Sequence, residues 1–308
     1  MSFKFIDLFA GIGGIRLGFE HVGGECVFSS EWDIHAQKTY EANFGEKPYG
    51  DITAIKPSMI PNHDVLLGGF PCQAFSIIGK MNGFDDTRGT LFFNIANILK
   101  EKRPKAFMLE NVKQLKTHDK GNTFKIIIKT LEDLGYKVYH TVLNALDFGV
   151  PQKRERTFIV GFLDHSVDFS FPKGGRSYDL STVLEKDCDV EDKYFVNDVI
   201  KQNRLDNLKK EPSFPSIWHQ NVSGNVSPLP YSCALRAGAS YNYLLVNGVR
   251  RPTPRELLRL QGFPDSYKIV VPYTQLRKQA GNSVAVPVIK AIAEKMVEAV
   301  DFKVTKIA

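Results

Sequence analysis

The chain has 308 residues, 43% hydrophobic and 24% charged: ordinary globular material, enough for one large domain or two of ordinary size, with no need of a disulfide or metal staple. Its 4 cysteines, Cys26, Cys72, Cys188 and Cys233, are scattered without a Cys-x-x-Cys pair, so no metal site is expected and a reducing compartment suits them. A net charge of +6 permits a polyanionic partner without requiring one, and with no signal-peptide pattern or apolar run of bilayer length the expectation is a soluble cytoplasmic protein that meets no membrane.

In chain order, the apolar run at 5–9 predicts a buried strand, and 12–20 the helix after it. A second strand is expected at 25–30, a helix at 35–44 and a third strand at 64–67. A helix follows at 90–100, a strand at 106–109 and a helix at 123–134, and strands at 138–144 and 157–162 close the series. Strands alternating with helices predict an α/β fold with a mostly parallel sheet covered on both faces. Ligands of such sheets bind at the carboxyl ends of the strands. From 174 to 273 the periodicity weakens and Pro, Asn, Ser and Gly become frequent, which predicts a second, irregular domain with short strands. The segment 284–300 is apolar at helical spacing and is expected to return to the first domain. The expected division is therefore 1–173 with 274–308, and 174–273.

The strand ends carry the chemistry-bearing residues. Phe5-Ile-Asp-Leu-Phe-Ala-Gly11-Ile-Gly13-Gly14 is a strand, a glycine-rich turn and a helix start, where a ligand can approach the backbone or where the turn is merely tight. Glu31 ends the next strand, where an acid can accept ribose hydroxyls, and Trp32 beside it offers a flat face for an adenine. Asp51 ends a further segment; with Glu31 and Trp32 it favours an adenosine cofactor over solvated loop acids and ordinary core. In Gly68-Gly-Phe-Pro-Cys72-Gln-Ala-Phe-Ser76, Pro71 and the glycines set Cys72 on a rigid turn after an apolar strand, a position from which a thiolate can face a pocket. The polar, glycine-bearing stretch 77–89 suits a loop that closes over a substrate. Glu110, in Phe107-Met-Leu-Glu110-Asn111-Val112, is alone a cap or surface acid, and taken together with Cys72 becomes a proton donor or hydrogen-bond partner. An extended backbone through Gln152-Lys153-Arg154-Glu155-Arg156 puts Gln152, Arg154 and Arg156 on one face, a solvated face or a pocket wall.

These segments, in this order, resemble the motif series of the bacterial DNA cytosine-5 methyltransferases, joined by Arg251-Pro-Thr-Pro-Arg-Glu-Leu-Leu-Arg-Leu-Gln-Gly-Phe-Pro264 and Gln279-Ala-Gly281-Asn282-Ser283-Val284. The resemblance covers about 3–172 and 250–300. It implies a Rossmann-like, S-adenosylmethionine-dependent methyltransferase with a mixed sheet, helices on both faces and a small target-recognition domain. It implies a cofactor pocket made by Phe9, Gly11, Ile12, Gly13, Glu31, Trp32, Asp51, Ile52, Gly69, Pro71, Leu91, Asn282 and Val284. Cys72 would attack cytosine C6, Glu110 would hold protonated N3, and Arg156, with Arg154 beside it, would hold the base carbonyl oxygen. The cytosine would be extruded from the duplex, with 73–89 closing over it and Gln73 and Ser76 against the DNA. The family context implies a separate restriction endonuclease acting on the same site, though orphan methyltransferases carry the same motifs, and a monomer is the default expectation.

The recognition region departs from the family pattern. Ala234-Leu235 stand where many members carry Thr-Leu, which puts one DNA-backbone contact in doubt. Arg236, Tyr241, Asn242 and Tyr243 are candidate base-edge or phosphate readers, or a structural turn. An RNA cytosine-5 methyltransferase is the runner-up, against which the long region 176–273 argues. A non-catalytic DNA-binding protein would leave Cys72, Glu110 and Arg156 without purpose, as would a nucleotide-dependent oxidoreductase.

Overall fold

The computed structural model describes residues 2–71 and 91–300. Cys72, Gln73, Ser76 and the remainder of the expected closing loop lie outside the described residues.

The strands in chain order are β1 (Phe3–Leu8), β2 (Gly24–Ser30), β3 (Val65–Gly69), β4 (Ala106–Val112), β5 (Lys137–Asn144), β6 (Gln152–Lys153), β7 (Glu155–Phe162), β8 (Ile217–Gln220), β9 (Val226–Leu229), β10 (Ser232–Cys233) and β11 (Leu244–Val246). The helices are α1 (Gly14–Glu20), α2 (Ile34–Phe44), α3 (Leu91–Lys102), α4 (Asn122–Asp133), α5 (Asp198–Asp206), α6 (Pro254–Arg259), α7 (Tyr273–Asn282) and α8 (Val286–Ala299). None among the described residues is long and apolar enough to cross a membrane.

The chain forms two compact units: Met1–Leu143 with Glu155–Lys173 and Ile289–Ala308, and Asn144–Arg154 with Gly174–Val288. The first is built on a six-stranded sheet in the order β2-β1-β3-β4-β7-β5. β1 pairs in parallel with β2 and β3, β3 in parallel with β4, and β4 antiparallel with β7, so the sheet is mixed, as expected. Both faces of β1 are buried, as the continuous apolar run requires. Ile6 and Leu8 join the core cluster of α3 and α4. Phe5 packs against Phe19 of α1 with ring centroids 6.0 Å apart, and Gly18 of α1 lies so close to Ile289 of α8 that a Cβ there would stand 2.4 Å from its side chain. The chain turns from β2 on one side of β1 to β3 on the other, which opens a crevice at the carboxyl ends of these strands.

The second unit holds the three-stranded sheet β11-β8-β9, the pair β10-β6, and α5, α6 and α7 around a core that includes Ile217, Leu235, Leu244 and Leu257. It takes in 144–154 and 274–288. Buried side chains account for this. Gln152 donates to Leu260 O (2.6 Å) and accepts from Leu235 N (2.9 Å), and Gln261 donates to Ala280 O (2.5 Å). Cutting 144–154 or α7 out of this unit would leave those polar groups buried and unmatched.

Candidate active site

The loop after β1 is shaped by backbone conformation. Phe9 and Gly11 both have φ of 56°, and Gly13 has φ of 75° with the Phe44 ring 2.3 Å from where a Cβ would stand. Glycine is therefore required at 13 by conformation and by space. Phe9, a bulky residue held at positive φ, stores strain of the kind that collects at ligand sites. Ile12 is buried beneath the turn.

Glu31, just beyond β2, ties this loop to the next. Its carboxylate accepts from Gly11 N and from Asp33 N, each at 2.8 Å, and Gln37 Nε2 donates to its carbonyl at 2.5 Å. Burial pushes its carboxyl above the ordinary value, against the pull of those two N–H groups. Trp32 beside it is 76% exposed, a large aromatic face open to solvent. Asp33 starts α2 by accepting from His35 N and Ala36 N. Asp51 is exposed and accepts from Thr53 N at 2.9 Å, while Ile52 is buried.

At the next strand ends Glu110 and Arg156 meet. The register pairs Gly69 with Glu110 and Val112 with Arg156, and Arg156 Nε lies 3.0 Å from Glu110 Oε1, both side chains largely buried. The other carboxylate oxygen lies beside Gly69, 3.4 Å from the position a Cβ would take there. Asn111 Nδ2 donates to Phe70 O at 2.9 Å, which fixes the turn leading to exposed Pro71 and so to Cys72. Leu91, half-buried, opens α3.

Arg154 does something else. Its guanidinium donates to Leu235 O (3.1 Å), Gly281 O (3.2 Å) and Ser283 O, capping the carboxyl end of α7. Arg156 is the arginine at Glu110 in the first unit. In the same unit as Arg154, Asn282 is exposed and Val284 buried. Among the expected DNA readers, Arg236 is exposed. Tyr243 is buried, and its hydroxyl accepts from Arg236 N (3.3 Å). Asn242 accepts from Arg251 through its side chain and from Arg204 through its carbonyl. Tyr243 thus supports the backbone at Arg236, and Asn242 receives two other arginines.

The sequence reading passed over Asp7, in the middle of β1. It is fully buried, and neither carboxylate oxygen has a hydrogen-bond partner among the described residues. Burial pushes its pKa from 3.8 to about 7, with Arg16 opposing the shift and Glu31 adding to it. The fold favours the protonated carboxyl, so that stability is fully present below 3.8 and is lost as pH rises through about 7. Asp7→Asn, which carries no charge, is expected to gain stability relative to the parent between those limits, by at most about 4 kcal/mol. Thermal unfolding of both proteins at acid and mildly alkaline pH checks this; a difference independent of pH would contradict it.

A mixed sheet with parallel strands about a crevice, a strained glycine turn bridged to a buried acid, and a carboxylate–guanidinium pair on adjacent strands together define a class. It is the S-adenosylmethionine-dependent methyltransferase fold, which solved structures share. DNMT2 of Spodoptera frugiperda aligns with a TM-score of 0.75 at 21% identity over 96% of this chain and 99% of that one. S. pombe Dnmt2 gives 0.74 at 19% identity over 98% of this chain and 100% of that one. The sequence matches the family described as C-5 cytosine-specific DNA methylase over residues 3–298, and the chain belongs to that family: it is a DNA (cytosine-5) methyltransferase. Among curated relatives it is 67% identical to the Type II methyltransferase M.NgoBI of Neisseria gonorrhoeae, over 94% of this chain and 91% of the relative. It is 64% identical to the Type II methyltransferase M.HaeII of Haemophilus aegyptius, over 99% of this chain and 96% of the relative.

Proposed function

We propose that the enzyme methylates C5 of a cytosine turned out of a specific duplex DNA sequence, through a covalent bond between Cys72 and C6, as the modification enzyme of a Type II restriction–modification system acting as a monomer. The observation that carries the chemistry is the Glu110–Arg156 pair at 3.0 Å, on the strand ends beside the anchored turn that leads into Cys72.

The reaction requires these groups because C5 of cytosine is a weak nucleophile. Addition of the Cys72 thiolate to C6 forms a C–S bond and moves the ring electrons towards N3, leaving C5 an enamine carbon. Glu110 keeps a proton at N3 to receive that density, and Arg156 holds Glu110 in place and reaches the base carbonyl oxygen. Once C5 is methylated, loss of its proton breaks the C–S bond and frees Cys72. Stacked bases shield both ring faces, so the cytosine has to leave the helix first, with Gln73 and Ser76 against the DNA. Arg154 holds the carboxyl end of α7.

S-adenosylmethionine supplies an electrophilic methyl group, and the crevice residues fit it. Glu31 uses both carboxylate oxygens on N–H groups yet keeps lone pairs for ribose hydroxyls. Trp32 offers an open aromatic face, and a Cβ at Gly11 would find no atom closer than 4.0 Å, so the turn leaves room for a ligand. Phe9, Ile12, Gly13, Asp51, Ile52, Gly69, Pro71 and Leu91 complete the proposed pocket, with Asn282 and Val284.

The test is transfer of labelled methyl to duplex DNA, followed by bisulfite sequencing. Protected cytosines within one short recurring sequence are expected. Transfer to tRNA with none to duplex DNA would overturn the proposal.

A further inference from the structure

Two arginines of the second unit pair with carboxylates, and three others contrast with them. Arg250 is matched by Glu256 and Asp187, and Arg259 by Asp265. Arg236, Arg251 and Arg277 have no carboxylate within salt-bridge distance among the described residues. They gather instead on tyrosine rings. Arg251 Cζ and Arg277 Cζ lie 4.7 and 4.9 Å from the centroid of Tyr241, and Arg236 Cζ lies 5.2 Å from that of Tyr243. Tyr241 is 45% exposed, and with Arg236, Tyr243 and Arg277 it borders one hollow floored by Leu235, Leu244 and Leu257.

A ring holds a guanidinium without neutralising it. Stability alone would favour an acid among three converging cations, so their uncompensated charge suits an anion from outside. Two of the arginines are also tethered. Arg277 Nη2 donates to Ser240 O (2.7 Å) and Ala239 O (3.3 Å), and Arg251 donates to Asn242 Oδ1 (3.3 Å) and to Lys193 O. Such anchoring stops them from extending into a groove to reach base edges, yet leaves donors of each fork unused. Arg236 commits none of its side-chain donors to the described residues.

We infer that Arg236, Arg251 and Arg277, set on Tyr241 and Tyr243, clamp phosphates of the DNA backbone and supply affinity without choosing the sequence. Asn242 is then a positioning residue for Arg251 rather than a base reader. This rests on the reading of the chain as a duplex-DNA enzyme.

Binding to a mixed-sequence duplex oligonucleotide as a function of salt tests the clamp, with methylated sites mapped on plasmid DNA. Arg236→Gln, Arg251→Gln and Arg277→Gln are each expected to reduce the slope of log Kd against log salt by about 0.9, with the methylated sequence unchanged. Arg277→Lys keeps the charge and is expected to keep the parental slope. A loosened 239–242 turn would instead weaken the Gln and Lys variants alike. Parental slopes in all the Gln variants, or an altered methylated sequence, would overturn the clamp while leaving the enzyme's function standing. A parent protein that neither binds nor methylates duplex DNA would overturn the function on which the clamp depends.

Discussion

Cys72→Ser is expected to lower methyl transfer to duplex DNA below detection while leaving S-adenosylmethionine binding intact. A thiol with an ordinary pKa of about 8.5 is partly thiolate near neutrality, whereas a serine hydroxyl is almost wholly un-ionised and a far poorer nucleophile towards C6. A duplex carrying 5-fluorocytosine at the target separates a lost nucleophile from a damaged site. Fluorine cannot leave C5 as a proton does, so the parent should remain covalently joined to the DNA after denaturation. Cys72→Ser should give no such complex; a complex of parental yield would refute the assigned nucleophile. Glu110→Gln belongs to the same argument. The amide cannot keep a proton at N3, and Arg156 loses the carboxylate now 3.0 Å from its Nε. The expected loss is about 10²–10⁴ in the single-turnover rate, with cofactor affinity unchanged.

The candidate residues of this centre stand out in the sequence because each closes or interrupts an apolar run. Glu31 follows the buried end of β2 and Glu110 lies near the end of buried β4, and the order of their segments with the Pro-Cys-Gln tripeptide is specific. Asp7 carries the same kind of signal, an acid within Phe-Ile-Asp-Leu-Phe, ahead of the glycines of the turn. The separation of Arg154 from Arg156 was not legible. Alternation along an extended chain puts both on one face, but β6 ends at Lys153 and β7 begins at Glu155, so Arg154 falls at the break where the chain passes between units. For Asn242 and Tyr243 the sequence left recognition and a structural turn equally open, because their partners, Arg204, Arg251 and the Arg236 amide, approach from separate places in the sequence. The packing of α7 with the second unit depends on Gln261 and Arg154, which bond backbone carbonyls at 280, 281 and 283. No local pattern announces such long-range bonds.

Arg250→Met is expected to destabilise the second unit by about 3–5 kcal/mol, because it strips the partner from a buried carboxylate. Arg250 is the largest fully buried side chain, and its two Nη groups donate to the two oxygens of Glu256 at 2.8 and 2.9 Å. Glu256 has no access to water and already accepts from Thr253 N, in the capping box that starts α6, and from Glu185 N. Neither N–H carries a full positive charge, so the carboxylate would be left ionised without a counter-ion or forced to protonate. Asp187, the other partner of Arg250, is half exposed and loses little when water replaces the guanidinium. Adding Glu256→Gln to Arg250→Met removes the buried charge and keeps an oxygen for the same N–H groups, so the double variant is expected to recover a substantial part of the loss. Denaturant unfolding of parent, both single variants and the double variant measures the coupling. Additive losses would show that volume, not charge, dominates at this site. The consequence for function runs along the backbone. Val246 N donates to Arg250 O at 2.7 Å, closing the turn from which Arg251 emerges towards Tyr241. Arg250→Met should therefore weaken DNA binding as the temperature approaches the unfolding of this unit.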